Sequence, residues 1–254
     1  MRPINPCVHC PGNCIRKGTY KGTQLLRCGT YLRYQRVQYR YGARAPGVDE
    51  HIILYVREGC GIRSISRIMG IAVSTVIARI KRIASRLGPG PILSGRSYEV
   101  DELCTYVGNK KNRTWVAYAM DRANKHVVAL CIGRRNKRTL RPLVNTMVLA
   151  NAKFIRTDAL PLYHSIVPQV IHQVKRAGTN GIERMNLNLR THLKRLARRT
   201  ICYSKSATML VACVAIYCWP PPIRRVANSP MSGSFFTRAR MLSRGARDIT
   251  HDMG

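Results

Sequence analysis

A chain of 254 residues, 45% of them hydrophobic, can bury one large core or two modest ones, which excludes a wholly disordered tail protein. Forty-four Lys and Arg against 11 Asp and Glu give a net charge of +33, an imbalance that points to a polyanionic partner. The excess runs along the whole chain, with 17 basic and 3 acidic groups over 1–97, 21 and 6 over 98–219, and 6 and 2 over 220–254. The start, MRPINPCVHC, has no apolar signal core, and the longest apolar run, Met209 to Trp219, is 11 residues, too short to cross a bilayer. The expectation is a cytoplasmic, nucleic-acid-associated protein with no membrane partner.

Composition divides the chain into a Cys, Gly and Tyr-rich module over 1–47, a helical unit over 48–88, a Gly-Pro linker over 89–97, an α/β region over 98–219 and a poorly ordered tail over 220–254. In the first module Cys7-x-x-Cys10 has the spacing of a zinc knuckle, because two thiolates two residues apart reach one tetrahedral ion. A second knuckle is due 15 to 20 residues later, where Cys28 stands with Tyr31 in the place of its partner. Cys14 and His9 are the remaining choices for a fourth zinc ligand, and a metal-free remnant of a zinc ribbon is the alternative. Lys17, Lys21, Arg27, Arg33, Arg36 and Arg40 alternate with Tyr20, Tyr31, Tyr34, Tyr39 and Tyr41, a composition suited to nucleic acid.

Three short helices follow: EHIILYVREG closing at Gly59, GIRSISRIMG closing at Gly70, and AVSTVIARIKRIASRLG with Val73, Ile77, Ile80, Ile83 and Leu87 on one apolar face. Two helices joined across a glycine turn predict helix-turn-helix, with an ordinary helical hairpin as the alternative. Ser74, Thr75, Ala78, Arg79 and Arg82 then face solvent on the third helix, and Ser74, Thr75, Arg79 and Arg82 are the expected DNA contacts of this unit.

Beyond the linker, alternation predicts strands over Tyr98–Val107, RTWVAYAM and HVVALCIG, the last two joined by a turn at Asp121–Asn124. A helix over Asn136–Leu149, a strand over Lys153–Thr157 and a helix over Gly181–Arg198 complete a ribonuclease-H-like, integrase-like α/β layout. Acids are scarce here, and each weakens contact with phosphate unless it has a task. Asp101 lies on the first strand, Asp158 at the end of the strand expected beside it, and Glu183 near the start of the last helix, heading a stripe of Asn186, Arg190 and Lys194. Three such acids can share Mg²⁺ or Mn²⁺, and two metals suit in-line phosphoryl displacement. Glu99 shares a strand face with Asp101 and is a rival first ligand. Taken singly, Asp158 reads first as a helix cap and Glu183 as a helix-start acid.

The blocks Tyr98-Glu99-Val100-Asp101-Glu102-Leu103, Thr105-Tyr106-Val107-Gly108, Thr157-Asp158, Ile182-Glu183-Arg184-x-Asn186 and Ser204-Lys205-Ser206 resemble the transposases of the bacterial insertion-sequence-one group. The resemblance runs over about residues 5–218, with departures at Tyr31, where that group has its last zinc cysteine, and beyond Trp219. It implies a DDE catalytic domain using Asp101, Asp158 and Glu183 on Mg²⁺, with 24 residues between the last two acids, and terminal inverted repeats as the DNA recognised. It further implies metal-dependent strand cleavage and transfer, and joining two ends is a task that calls for a homo-oligomer, at least a dimer. Rival functions are a non-catalytic DNA-binding regulator and a structure-selective nuclease on the same fold.

Overall fold

A computed structural model describes residues 5–37, 41–174 and 180–219; Tyr39, Arg40 and the tail expected over 220–254 lie outside them. The first module is an antiparallel sheet of β1 (Asn5–Pro6), β2 (Asn13–Tyr20), β3 (Thr23–Cys28) and β4 (Tyr34–Arg36), in that order. Lys21 and Gly22, at φ 50° and 74°, turn β2 into β3, the left-handed pair that suits the twist of a tight hairpin. Its core is small: Cys14, Leu26 and Cys28 are buried, with Cys7 and Cys10 packed against them. Thiols therefore occupy the place that aliphatic side chains fill in a larger module.

Helices α1 (Val48–Arg57), α2 (Ile62–Met69) and α3 (Val73–Ala84) follow. Gly70, at φ 63°, closes α2 in the left-handed region, and the Ser66 hydroxyl donates to the Ile71 carbonyl at 2.6 Å across the turn. The buried stripe of α3 is Val76, Ile80 and Ile83, with Ile77 and Leu87 packed against it as expected, while Val73 is 39% exposed. Packing begins at Val76, late in the first turn, and not at the first residue of the helix.

The remaining elements are β5 (Ser97–Val107), β6 (Asn109–Asp121), β7 (Val127–Gly133), α4 (Lys137–Leu149), β8 (Phe154–Thr157), α5 (Pro161–His164), β9 (His172–Val174), α6 (Asn180–His192) and α7 (Ala207–Cys218). They form one mixed sheet in the order β7-β6-β5-β8-β9, with β5, β6 and β7 antiparallel and β8 and β9 parallel to β5. One sheet face packs on α4 and α5 through Tyr98, Val100, Leu140, Val144, Ile155 and Tyr163. The other packs on α6 and α7 through Leu103, Val116, Tyr118, Leu189, Leu210 and Val214. The sixth helix ends at His192, short of the expected Arg198, and a 3-10 turn over Lys194–Leu196 follows.

Helix α7 is apolar around most of its circumference because two cores enclose it, with Val211 left exposed. Leu210 and Val214 face the sheet, whereas Met209, Ala212, Cys213 and Ile216 join Ile52, Val56, Val76 and Ile80 in the core of the three-helix unit. The 11-residue apolar run is thus the joint between the two halves of the molecule. No helix among the described residues is long and apolar enough to cross a membrane.

Candidate active site

Strand β8 is shorter than β5, pairing Ser97 with Phe154, Tyr98 with Ile155 and Glu99 with Arg156. Continuing that register brings Asp158, one residue past β8, level with Asp101. Where β8 stops, β5 loses its neighbour, and side chains from both of its faces reach the open edge. Carboxylate oxygens of Asp101, Glu102 and Asp158 there lie within 4.8 Å of one another. The alternation argument puts Glu102 on the opposite face from Asp101 and so misses it; the strand edge removes that separation.

Each acid is held differently. Asp101 Oδ1 accepts the Glu102 amide at 2.7 Å, and Oδ2 accepts Asn186 Nδ2 at 2.5 Å. Asn186 Oδ1 in turn accepts the Tyr118 hydroxyl at 2.8 Å. Glu102 is buried, with Tyr163 donating to Oε1 at 2.7 Å and Arg135 to Oε2 at 3.3 Å. Arg135 also stands 3.5 Å from Asp158 Oδ2, and its guanidinium lies 4.5 Å from the centre of the Trp115 ring. Asp158 Oδ1 accepts the Leu160 amide at 3.1 Å in a turn ahead of α5, whose N-cap is Leu160 and not the expected Asp158, and its side chain is 47% exposed. Burial raises the titration of Asp101 above the ordinary carboxylate range, with Asp158 adding to it and Asn186 opposing it. Burial likewise raises Glu102, against the pull of Tyr163 and Arg135.

Oxygens this close suit a hard divalent cation, whose ligands at about 2.1 Å lie some 3–4 Å apart. Burial and mutual repulsion of the carboxylates are what such an ion offsets, so the donor set fits. Glu183 lies outside this group of three, exposed in the first turn of α6. It precedes Asn186 by three residues, about 4.5 Å along the helix axis, on the stripe that meets Asp101. Glu99 turns elsewhere: it is buried against Arg122, 2.8 Å from Nε.

The residues expected to touch DNA fall in three places. Asn186 has both ends of its amide engaged by Asp101 and Tyr118, which makes it a support of the acid. Arg190 is half-buried one turn on, where burial and the Arg198 charge lower its titration and the Asp101 charge opposes them, while Lys194 lies beyond the end of α6 in the 3-10 turn. Ser74, Thr75, Ala78, Arg79 and Arg82 line one open depression on α3. Arg79 is 19% exposed, paired with Asp49 at 2.6 Å and donating to the Ala43 carbonyl; Arg82 also meets Asp49 at 2.7 Å. Thr75 Oγ1 lies 2.9 Å from the Tyr41 hydroxyl. Asp49 is the anchor that periodicity alone does not reveal.

At the N-terminus the Cys7, Cys14 and Cys28 sulfurs lie within 4.8 Å of one another, and Cys10 Sγ is 3.4 Å from Cys28 Sγ. The Tyr31 amide lowers the Cys28 thiol to about 7, whereas burial pushes Cys14 up to about 11. Around them Arg36 covers the Tyr20 ring at 4.7 Å and Arg33 the Tyr31 ring at 4.9 Å.

Residues 96–218 match the DDE-type family model described as IS1 transposase, and residues 39–85 match the InsA C-terminal domain. The InsB protein of insertion element IS1 4 from Escherichia coli K12 is 38% identical over 131 residues, 52% of this chain and 78% of that one. The chain belongs to the IS1 transposase family. A second IS1 relative, the InsB protein of element IS1 2 of the same strain, is 39% identical over 128 residues, 50% of this chain and 76% of that one. A chain in the cryo-EM structure of a simian T-cell lymphotropic virus intasome with the PP2A regulatory subunit B56 gamma aligns over 65% of this chain and 64% of its own. Its identity is 14% and its TM-score 0.32, too slight a likeness to bear on the argument. In an IS1 transposase the DDE family implies divalent-metal use, and Asp101, Glu102 and Asp158 form the acidic set that could hold the ion. The matched helix-turn-helix marks residues 39–85 as DNA-binding.

Proposed function

We propose that this IS1-family chain binds the terminal inverted repeats of its element, cleaves the DNA at the element end and joins the freed 3′ hydroxyl to target DNA. The observation that carries the reading is the meeting of Asp101, from β5, with Asp158, from the end of β8, at one open sheet edge. The strand order β7-β6-β5-β8-β9 supports a ribonuclease-H-like catalytic domain over 98–219.

Asp101 and Asp158 would hold the divalent cations, Mg²⁺ or Mn²⁺, with Glu183 completing the set from α6. Bound there, the metal supplies charge stabilisation of the phosphoryl oxygens and a more acidic attacking hydroxyl. Asn186 fixes the rotamer of Asp101 through one hydrogen bond and is itself fixed by Tyr118. Arg135 spans Glu102 and Asp158, so it keeps the two acids from moving apart while setting positive charge beside the scissile phosphate. Arg190 and Lys194 hold the DNA backbone beyond the metals, and Ser74, Thr75 and Arg82 face the end sequence. Joining two ends requires at least two copies of the chain.

Asp158→Asn tests the reading in a Mg²⁺-dependent cleavage and joining assay on a labelled element end. Both activities should be lost while mobility-shift binding stays within about twofold. Metal-dependent joining by the variant would reject the assignment, and binding without joining by the natural chain would favour a regulator. Cutting of branched DNA without joining would favour a nuclease.

A further inference from the structure

The Cys28-x-x-Tyr31 turn keeps the form of a metal knuckle without its second thiol. The Tyr31 amide donates to Cys28 Sγ at 3.2 Å, the bond such a turn makes to its sulfur, but the Tyr31 ring is 48% exposed on the outside. There it lies 6.2 Å from the exposed His9 ring, so neither side chain sits among the thiols. The side chain that does so is Cys14. It is directly opposite Cys28 in the β2–β3 register, 6% exposed, and grouped with Cys7 and Cys28 within 4.8 Å. Four sulfurs at about 2.3 Å around a tetrahedral ion stand about 3.8 Å apart; Cys10 Sγ lies 3.4 Å from Cys28 Sγ, and the Cys7, Cys14 and Cys28 sulfurs lie within 4.8 Å of one another. The loop from Cys10 to Cys14 closes tightly: a Cβ on Gly12 would meet Thr30 Oγ1 at 2.6 Å and Cys10 Sγ at 3.3 Å.

We propose that Cys14 completes a four-thiolate site with Cys7, Cys10 and Cys28, in place of the thiol absent at Tyr31, and that the site takes a tetrahedral divalent ion of the zinc type. The site joins β1, β2 and β3 at a point where the module has little else to bury. It therefore holds the sheet together as a core would.

Cobalt titration of the reduced, metal-free full-length chain tests the assignment, because thiolate-to-cobalt charge transfer comes only from sulfur ligands and ignores the carboxylate site. One equivalent should saturate the band, and X-ray absorption of the zinc form should count four sulfur neighbours. Cys14→Ser should weaken zinc at least about tenfold and leave three sulfurs. Adding Tyr31→Cys to that variant should restore four. Three sulfurs with a nitrogen or oxygen in the natural chain, no sulfur-bound metal, or a Cys14→Ser protein indistinguishable from the natural one would each overturn the proposal. Should Cys14→Ser fail to fold, the sulfur count of the natural chain decides.

Discussion

Tyr163→Phe isolates one hydrogen bond that supports the acidic site. Tyr163 is fully buried, and its hydroxyl donates to Glu102 Oε1 at 2.7 Å; the Glu102 side chain is itself 1% exposed. Phenylalanine keeps the ring that packs against Val100 and Ile155, so no cavity opens. A hydrogen bond to a charged acceptor contributes about 1.5–3 kcal/mol, and Arg135 at 3.3 Å still satisfies the other oxygen. The expected loss is about 2 kcal/mol, about 30-fold in the folding equilibrium and about 4–8 °C in Tm. Its pH dependence has a definite sign. Burial already raises Glu102 in the folded state, so ionising it costs stability as pH rises through that titration. Without the hydroxyl the folded-state value rises further, so the deficit grows from about pH 4 to about pH 8. Urea unfolding at both pH values measures it. A loss below about 0.5 kcal/mol, or one larger at acid pH, would show that the Tyr163 bond does not hold a charged Glu102.

Three further outcomes follow from particular contacts. Asn186→Ala removes the amide between Asp101 and Tyr118, and should lower end cleavage at least about tenfold with DNA affinity unchanged; an affinity loss with normal cleavage would return Asn186 to a DNA-contact role. Gly59→Ala puts a Cβ into the His192 carbonyl at a backbone φ of 75°, so it should cost at least about 2 kcal/mol in thermal unfolding. A neutral result would mean that the ends of α1 and α6 do not abut. Asp49→Asn releases Arg79 and Arg82 from a partly exposed ion pair; about 1 kcal/mol of stability should be lost, and non-specific DNA affinity at low salt should rise. Weaker DNA binding would show that Asp49 orients these arginines for the duplex.

Elements with a strong period were legible. The alternation of Tyr98–Val107 and of the two following runs located β5, β6 and β7, and scarcity of acid singled out Asp101 and Asp158. Short elements were not: α5 has four residues and β9 three, too few for any periodicity to register. The expected extension of α6 to Arg198 arises because Leu193 and Leu196 continue the helical spacing, whereas the backbone tightens into a 3-10 turn. Glu102 is hidden by alternation, which places it on the other face from Asp101; only where β8 ends can carboxylates from the two faces meet around the open edge. Arg135, Tyr163 and Asp49 act through long-range contacts that no local pattern encodes. The same holds for α7, whose second buried face belongs to a unit more than 120 residues earlier.

Diffraction from crystals of the full-length chain grown with Mn²⁺ and an oligonucleotide end would locate the metal by its anomalous signal. The account predicts peaks within coordination distance, about 2.2 Å, of Asp101 and Asp158 at the open edge beside β8, with Glu183 facing them from α6. Manganese bound away from that edge, or none at all, would contradict it.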